Sequence, residues 1–236
     1  MTGRLDGRLA VITGASRGIG RAAALALAAE GAHLIVIART VGGLEDLDDE
    51  IKTLGGSATL VPLDLTDGAA IDRLGLSIHE RWGKLDILIG NAAILGVLTP
   101  LSHLDPKEWD KLMAINVTAN YRLIRSLEPL LKRSDAGRAI FLTSGAAQKC
   151  RAYWGGYSVT KAALDAMIKT WANELNETSI KANLLSPGPM HTLMRRKAMP
   201  GEDPAILPDP SVLAPLFIEL SSPGCARHGE TVQFNL

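Results

Sequence analysis

Between Ser144 and Lys161 the chain reads S-G-A-A-Q-K-C-R-A-Y-W-G-G-Y-S-V-T-K, supplying a hydroxyl, a phenol at Tyr157 and an amine at Lys161. If Tyr157 opens a helix, the i,i+4 spacing sets phenol and ammonium on one face, one turn apart. Such a pair can move a proton. A phenol titrates near ~10, too weak an acid to cycle protons readily at neutral pH. An ammonium about 4 Å away, in an effective dielectric of about 20, favours phenolate by ~4 kcal/mol. The amine is therefore expected to draw Tyr157 down toward the range of a general acid/base. Y-x-x-x-K also arises by chance on helices, so its weight depends on the residues around it.

Upstream, Thr13-Gly-Ala-Ser-Arg-Gly-Ile-Gly20 follows an apolar run and leads into an Ala/Leu-rich helical pattern. This is G-x-x-x-G-x-G, with Gly14, Gly18 and Gly20, a spacing variant of the dinucleotide fingerprint. Glycines permit the tight turn and close backbone approach, and the helix N-terminus presents unpaired N–H groups to a pyrophosphate. The second strand ends in Ala38-Arg39-Thr40, where a chain reading the ribose 2′-OH of NAD would carry a carboxylate. Arg39, with Arg17 in the glycine turn, suits a 2′-phosphate, since a guanidinium can bind phosphate through two bonds. The alternative is a pair of solvated arginines at a loop edge. NADP(H) is the favoured cofactor and NAD(H) the alternative.

Asp64, after the third strand, could accept from an adenine amino group beside the Leu65 backbone, or cap the helix that begins near Asp67. Asn91-Ala92-Ala93 ends the fourth strand. Asn116 falls inside a helical stretch, a poor place for Asn unless its side chain has a task. A bond to its own i−4 carbonyl would be the plainer explanation.

The elements that must position these residues alternate along the chain. Strands are expected at Leu9–Thr13, Leu34–Ala38, Ala58–Leu63, Leu85–Gly90, Arg138–Thr143, Lys181–Leu185 and Glu230–Phe234. Helices are expected near Gly20–Glu30, Gly43–Leu54, Asp67–Trp82, Pro106–Lys132, Gly156–Glu177 and Ser211–Leu220. The strand runs are apolar throughout, as strands covered on both faces are. Strand–helix–strand repetition implies right-handed crossovers and an α/β, Rossmann-type doubly wound sheet of about seven mostly parallel strands. One domain over residues 1–236 is expected, with an irregular, Pro-rich flap over the substrate near 189–210.

Composition narrows the class. The 236 residues are 47% hydrophobic, and 25 basic residues balance 25 acidic ones. No Lys/Arg run marks a nucleic-acid stripe, so neither nucleic acid nor membrane is an expected partner. Cys150 and Cys225 form no metal-type pair or disulfide framework, which fits a reducing, cytoplasmic setting. No secretory leader is read at Leu9-Ala-Val-Ile12, which meets T-G at once, and no run reaches the roughly 20 apolar residues of a membrane span. The five histidines have no metal spacing.

Taken together, T-G-A-S-R-G-I-G, Asp64-Leu65, N-A-A at 91–93, Asn116, Ser144, Y-S-V-T-K and Pro187-Gly188 resemble the short-chain dehydrogenase/reductase family over almost the whole chain. The resemblance implies an NAD(P)-dependent hydride transfer between an alcohol and a carbonyl. It implies that Tyr157 is the acid/base and that Ser144 binds the reacting oxygen. Lys161 would hold the nicotinamide ribose, and Asn116 would bend its helix and hold a relay water. It further implies cofactor contacts from Gly14, Ser16, Arg17, Gly18, Ile19, Gly20, Arg39, Asp64, Leu65, Asn91, Ala92, Ala93, Tyr157, Lys161, Pro187, Gly188 and Thr192. Leu95, Ala146, Trp154 and Met190 would line a largely apolar substrate pocket. The family's usual N-A-G is N-A-A here, placing the Ala93 methyl where backbone runs closest to the cofactor ribose. The common V-D-G-G ending is absent.

Cys150 reads as a small buried residue rather than one facing substrate, and Arg151 as either a carboxylate contact or a solvated side chain. Met113, Ile115, Leu123, Leu164, Met167, Ile168 and Trp171 make their helices apolar on more than one face. Burial against another subunit is the expectation, giving a homodimer or homotetramer. Two other functions remain open: a non-catalytic NAD(P)-binding sensor on the same fold, and a lyase, isomerase or epimerase using the cofactor transiently.

Overall fold

The computed structural model describes residues 3–235. Its centre is one sheet of seven strands: β1 (Leu9–Thr13), β2 (His33–Ala38), β3 (Ser57–Pro62), β4 (Ile87–Gly90), β5 (Arg138–Leu142), β6 (Lys181–Ser186) and β7 (Thr231–Gln233). They are ordered β3-β2-β1-β4-β5-β6-β7, and every pairing is parallel. The order reverses between β1 and β4, and the crevice at their carboxyl ends is where a ligand fits such a sheet.

The helices are α1 (Gly18–Ala29), α2 (Val41–Thr53), α3 (Gly68–Trp82), α4 (Pro106–Met113), α5 (Ala119–Leu131), α6 (Ala146–Lys149), α7 (Gly155–Glu174), α8 (Leu193–Ala198) and α9 (Ala214–Ser221). The apolar strand runs are explained by two cores, one on each face. Ala10 and Ile12 of β1 and Leu34, Val36 and Ala38 of β2 join α1, α2 and α9 residues such as Leu27, Leu47 and Phe217. Leu9 and Val11, with Ile35 and Ile37, join α3, α5 and α7 residues such as Leu74, Leu123 and Ile168. Successive side chains thus point to opposite sides, and both sides are dry.

Start and stop signals act where their chemistry places them. Asp67 accepts from the Ala70 N–H at 2.9 Å at the head of α3, and Gly83 ends that helix in the left-handed region at φ 72°. Asp105 caps α4, with Pro106 in the first turn.

Three expectations change. The helix foreseen over 106–132 is divided: α4 and α5 are joined by a π-helical turn over Ala114–Thr118. β4 spans Ile87–Gly90, though the Asp86 backbone already donates to Leu9 O at 3.0 Å and accepts from Arg138 N–H at 2.8 Å; Leu85 turns away, its N–H donating to Leu130 O. The apolar residues assigned to a subunit contact are largely spent within the chain. Leu123, Leu164, Ile168 and Trp171 are all buried in the second core.

Candidate active site

α1 begins in the glycine turn. Gly14 and Gly18 take φ of +65° and +56°, which L side chains rarely adopt. A methyl on Gly20 would fall 2.3 Å from Gly14 O and 2.5 Å from Asn91 Nδ2, so only glycine lets the turn close. Asn91 ties the turn to the end of β4, donating from Nδ2 to Thr13 O at 2.9 Å and Gly14 O at 3.2 Å. The Thr13 hydroxyl completes the clamp, accepting from the backbone N–H of Asn91 and Ala92 at 3.0 and 3.1 Å.

No side chain caps α1 and no carboxylate stands in its first turn, so the helix start is left to a ligand. The start of α2 is similar: Thr40 makes no capping bond with its side chain, and Arg39 precedes it, exposed. Asp64 does not cap α3. Its carboxylate accepts from the N–H and hydroxyl of Thr66, both at 2.9 Å. The Thr66 N–H bond chiefly holds its pKa low, and the Arg39 charge adds a smaller pull.

A cleft of about 1030 Å³ runs from this turn across the ends of β1, β4 and β5 to α8. Every predicted site residue lines it except Gly20, which packs beneath the turn, and Asn116, which is fully buried behind it. The glycine turn, the uncapped helix start and the cleft volume together could receive a dinucleotide. Ala93 causes no backbone strain: among the described non-glycine residues only Cys150 and Tyr153 have positive φ.

Asn116 sits in the π-turn and acts as a two-sided clamp. Its Oδ1 accepts from Ile94 N–H at 2.9 Å, and its Nδ2 donates to Ile94 O at 2.9 Å and to the Thr160 hydroxyl at 3.0 Å. It makes no bond to its own i−4 carbonyl. Its carbonyl accepts from Asn120 Nδ2 at 2.8 Å, so this oxygen is already engaged within the chain.

Tyr157 lies in the first turn of α7, 7% exposed, in a small apolar cluster with Leu95 and Ala198, packed by Ala146, Trp154, Met194 and Met199. The Trp154 ring meets it edge-on, centroids 6.1 Å apart. Of the four predicted substrate contacts, Leu95, Ala146 and Trp154 gather here. The Met190 side chain packs instead in the first core with Leu185 and Phe217.

Lys161 is 3% exposed, and its ammonium donates to Leu142 O at 2.7 Å, standing 5.8 Å from the centre of the Tyr157 ring. The expected lowering of the phenol pKa is overturned. Burial pushes Tyr157 up to about 12, opposed only by the Ser144 hydroxyl. Burial also pulls Lys161 down to about 8, opposed by the Asp165 charge. Desolvation outweighs the ion–dipole and charge effects because both groups are out of water.

Asp165, four residues beyond Lys161 and on the same helix face, was not singled out in the sequence. It accepts from the Thr143 hydroxyl, and burial raises its pKa. The i+4 spacing from Lys161 was the available signal. Thr13, Thr143 and Thr160 gave none beyond their type. Cys150 is exposed rather than buried, in the left-handed region at φ 42°.

The family model for short chain dehydrogenase matches residues 8–203, and the chain belongs to that family, whose class is NAD(P)-dependent oxidoreduction. Within it the chain is similar to YciK of Escherichia coli (strain K12), an uncharacterised oxidoreductase. The two are 35% identical over 219 residues, which is 92% of this chain and 86% of YciK. A short chain dehydrogenase from Pseudomonas syringae superposes with a TM-score of 0.95 at 36% identity, covering 99% of this chain and 96% of that one. Another, from Shigella flexneri 2a str. 301 and solved in complex with NADP, superposes with a TM-score of 0.94 at 33% identity, covering 99% of each chain.

Among the described residues, no helix is long and apolar enough to cross a membrane.

Proposed function

We propose that this chain is an NADP(H)-preferring reductase that interconverts a carbonyl and an alcohol, with Tyr157 as the proton donor and acceptor. The observation that carries the reading is the buried Tyr157–Lys161 pair beside Ser144, on the wall of the cleft that begins at the glycine turn. The nicotinamide, when bound, supplies or takes the hydride. The protein holds the rest. Ser144 and Tyr157 bind the reacting oxygen from one side, and the phenol gives its proton as that oxygen gains charge. The Lys161 ammonium, on the same helix face, stabilises the phenolate that results. Leu95, Trp154 and Met194 exclude water from the exchange.

Preference for NADP rests on Arg39 and on the uncapped start of α2, where a 2′-phosphate would meet unpaired N–H groups. The NADP complex of the Shigella flexneri relative supports it. Assembly into a two-fold oligomer through α5 and α7 rests on Tyr121 and Val159, which remain exposed.

Tyr157→Phe tests the reading. NADPH-dependent carbonyl turnover should fall by about 10²- to 10⁴-fold while NADPH affinity, followed by nicotinamide fluorescence, stays within about twofold. Turnover retained in the variant would reject Tyr157 as the acid/base. Tight NADPH binding with no turnover of any ketone by the wild type would favour a sensor.

A further inference from the structure

The cleft is unevenly charged. Arg17 and Arg39 stand at the end formed by β1 and β2, whereas Lys149 and Arg151 follow β5. The sheet order places β1 and β4 between β2 and β5, a separation of three strand spacings or about 14 Å. The second basic group is therefore not the one that would meet the cofactor 2′-phosphate. α8 adds Arg195, Arg196 and Lys197 to the same cleft wall, and its Met194 and Ala198 pack in the Tyr157 cluster.

Of these cations, Arg195 is neutralised by Glu202, which accepts from its Nε and Nη2 at 2.6 and 2.5 Å. Among the described residues, Lys149, Arg151, Arg196 and Lys197 have no carboxylate within ion-pair distance. Two carboxylates line this part of the cleft, and neither meets these cations. Glu108 lies 4.0 Å from Lys111, and Asp165 takes the Thr143 hydroxyl. The chain carries no net charge, so the excess is local.

Two of the cations stand on the segment that follows Ser144 and line the cleft. The Lys149 side chain folds back over Gly145, its Nζ 4.0 Å from the position of a methyl on that residue, next to Ser144. Arg151 lies between Cys150 and Tyr153, the two described non-glycine residues in the left-handed region, at φ 42° and 72°. That conformation is unfavourable for an L-residue and persists where surroundings enforce it. Here the Tyr153 carbonyl accepts from Thr99 N–H at 3.0 Å, tying the turn to the segment that follows β4.

We propose that the substrate is an anionic carbonyl compound or alcohol. Its apolar body would lie against Leu95, Trp154 and Met194, and its carboxylate or phosphate would be received by Lys149 and Arg151 at the cleft mouth. The inference rests on the reading of the Tyr157 cleft as the reaction site, but anion binding is measurable apart from turnover. The cations are solvent-exposed, so their contribution is a modest, salt-sensitive attraction that acts on capture more than on the chemical step.

The test compares three methyl ketones on the full chain: 4-oxopentanoate, 4-oxopentyl phosphate and neutral methyl 4-oxopentanoate. Binding is titrated calorimetrically with and without NADPH, for wild type and Lys149→Gln/Arg151→Gln. At least one anion should bind wild type about tenfold more tightly than the ester at low salt. The advantage should collapse in the double variant and near 1 M salt, where the screening length is about 3 Å, with NADPH affinity unchanged. The anion that wins identifies carboxylate or phosphate as the source. Equal binding of all three ketones, or a preference that survives in the double variant, overturns the proposal. An anion preference without NADPH oxidation leaves it standing and counts against the reductase reading. Oxidation of NADPH with no anion preference does the reverse.

Discussion

The buried phenol and amine predict opposite pH responses for the two directions of the proposed reaction. Tyr157 is pushed up to about 12 and Lys161 drawn down to about 8. At pH 7 about one phenol in 10⁵ is ionised on that value, whereas most of the amine is charged. Carbonyl reduction needs the phenol as a donor, which is present throughout the neutral range. It also needs the ammonium to stabilise the phenolate left behind. At 5.8 Å from the ring centre and an effective dielectric of about 20, that attraction is ~3 kcal/mol, on the order of 10²-fold in rate. Reduction should therefore be level up to about pH 7.5 and decline above about pH 8 as Lys161 loses its proton, by at most that factor. Alcohol oxidation needs the phenolate beside the ammonium, so it should climb with pH up to about 8 and level off above it, where loss of the Lys161 charge offsets the gain. The assay is kcat/KM in both directions from about pH 6 to pH 10 at saturating cofactor, for wild type and Lys161→Gln. The variant should reduce on the order of 10²-fold more slowly and lose the inflection. A reduction profile level beyond about pH 9.5, or an inflection kept by Lys161→Gln, would refute this assignment.

Three further outcomes are expected. Arg39→Ala should weaken NADPH by about 10- to 100-fold, the worth of one charged hydrogen-bonding contact at ~1.5–3 kcal/mol, and leave NADH unchanged. Fluorescence titration checks it, and parallel losses for both cofactors would dismiss a 2′-phosphate contact. Asn116→Ala leaves Ile94 N–H and Ile94 O without their side-chain partner, while the Thr160 hydroxyl keeps its bond to Tyr157 O, so the urea midpoint should fall by the equivalent of about 2–3 kcal/mol. A midpoint shift of under ~1 kcal/mol would show that the π-turn holds without the clamp. The third concerns stability. Lys161 titrates at about 8 in the fold and near 10.5 unfolded, so between those values the unfolded chain binds more protons and stability from this group rises with pH. Tyr157, raised to about 12, begins to oppose it only above its unfolded value of 10.0. From about pH 8 to pH 9.5 the difference in denaturation midpoint between wild type and Lys161→Met should therefore move in favour of wild type.

What could be read from the sequence was what local spacing controls. The glycine turn at Gly14, Gly18 and Gly20 carries its own reason, since two of them need positive φ and the third has no room for a methyl. The strands were legible because both faces of the sheet are covered, so their apolar runs had no competing helical period. The features that escaped depend on partners far along the chain. The break at Ala114–Thr118 follows from Asn116 bonding to Ile94 and Thr160, 22 and 44 residues away. Met190 lines the cleft while its side chain packs in the first core, and no pattern around it says which it would do. The failed sign at Tyr157 is the most informative case. The i,i+4 spacing was right, but it fixes only which face the groups share. It does not tell whether the ammonium points at the phenol or at Leu142 O, nor how much water reaches either. With both groups dry, desolvation sets the direction, and a charge 5.8 Å from the ring does not reverse it. A ligand hydroxyl that replaced Leu142 O as the acceptor for Lys161 would shift both groups together.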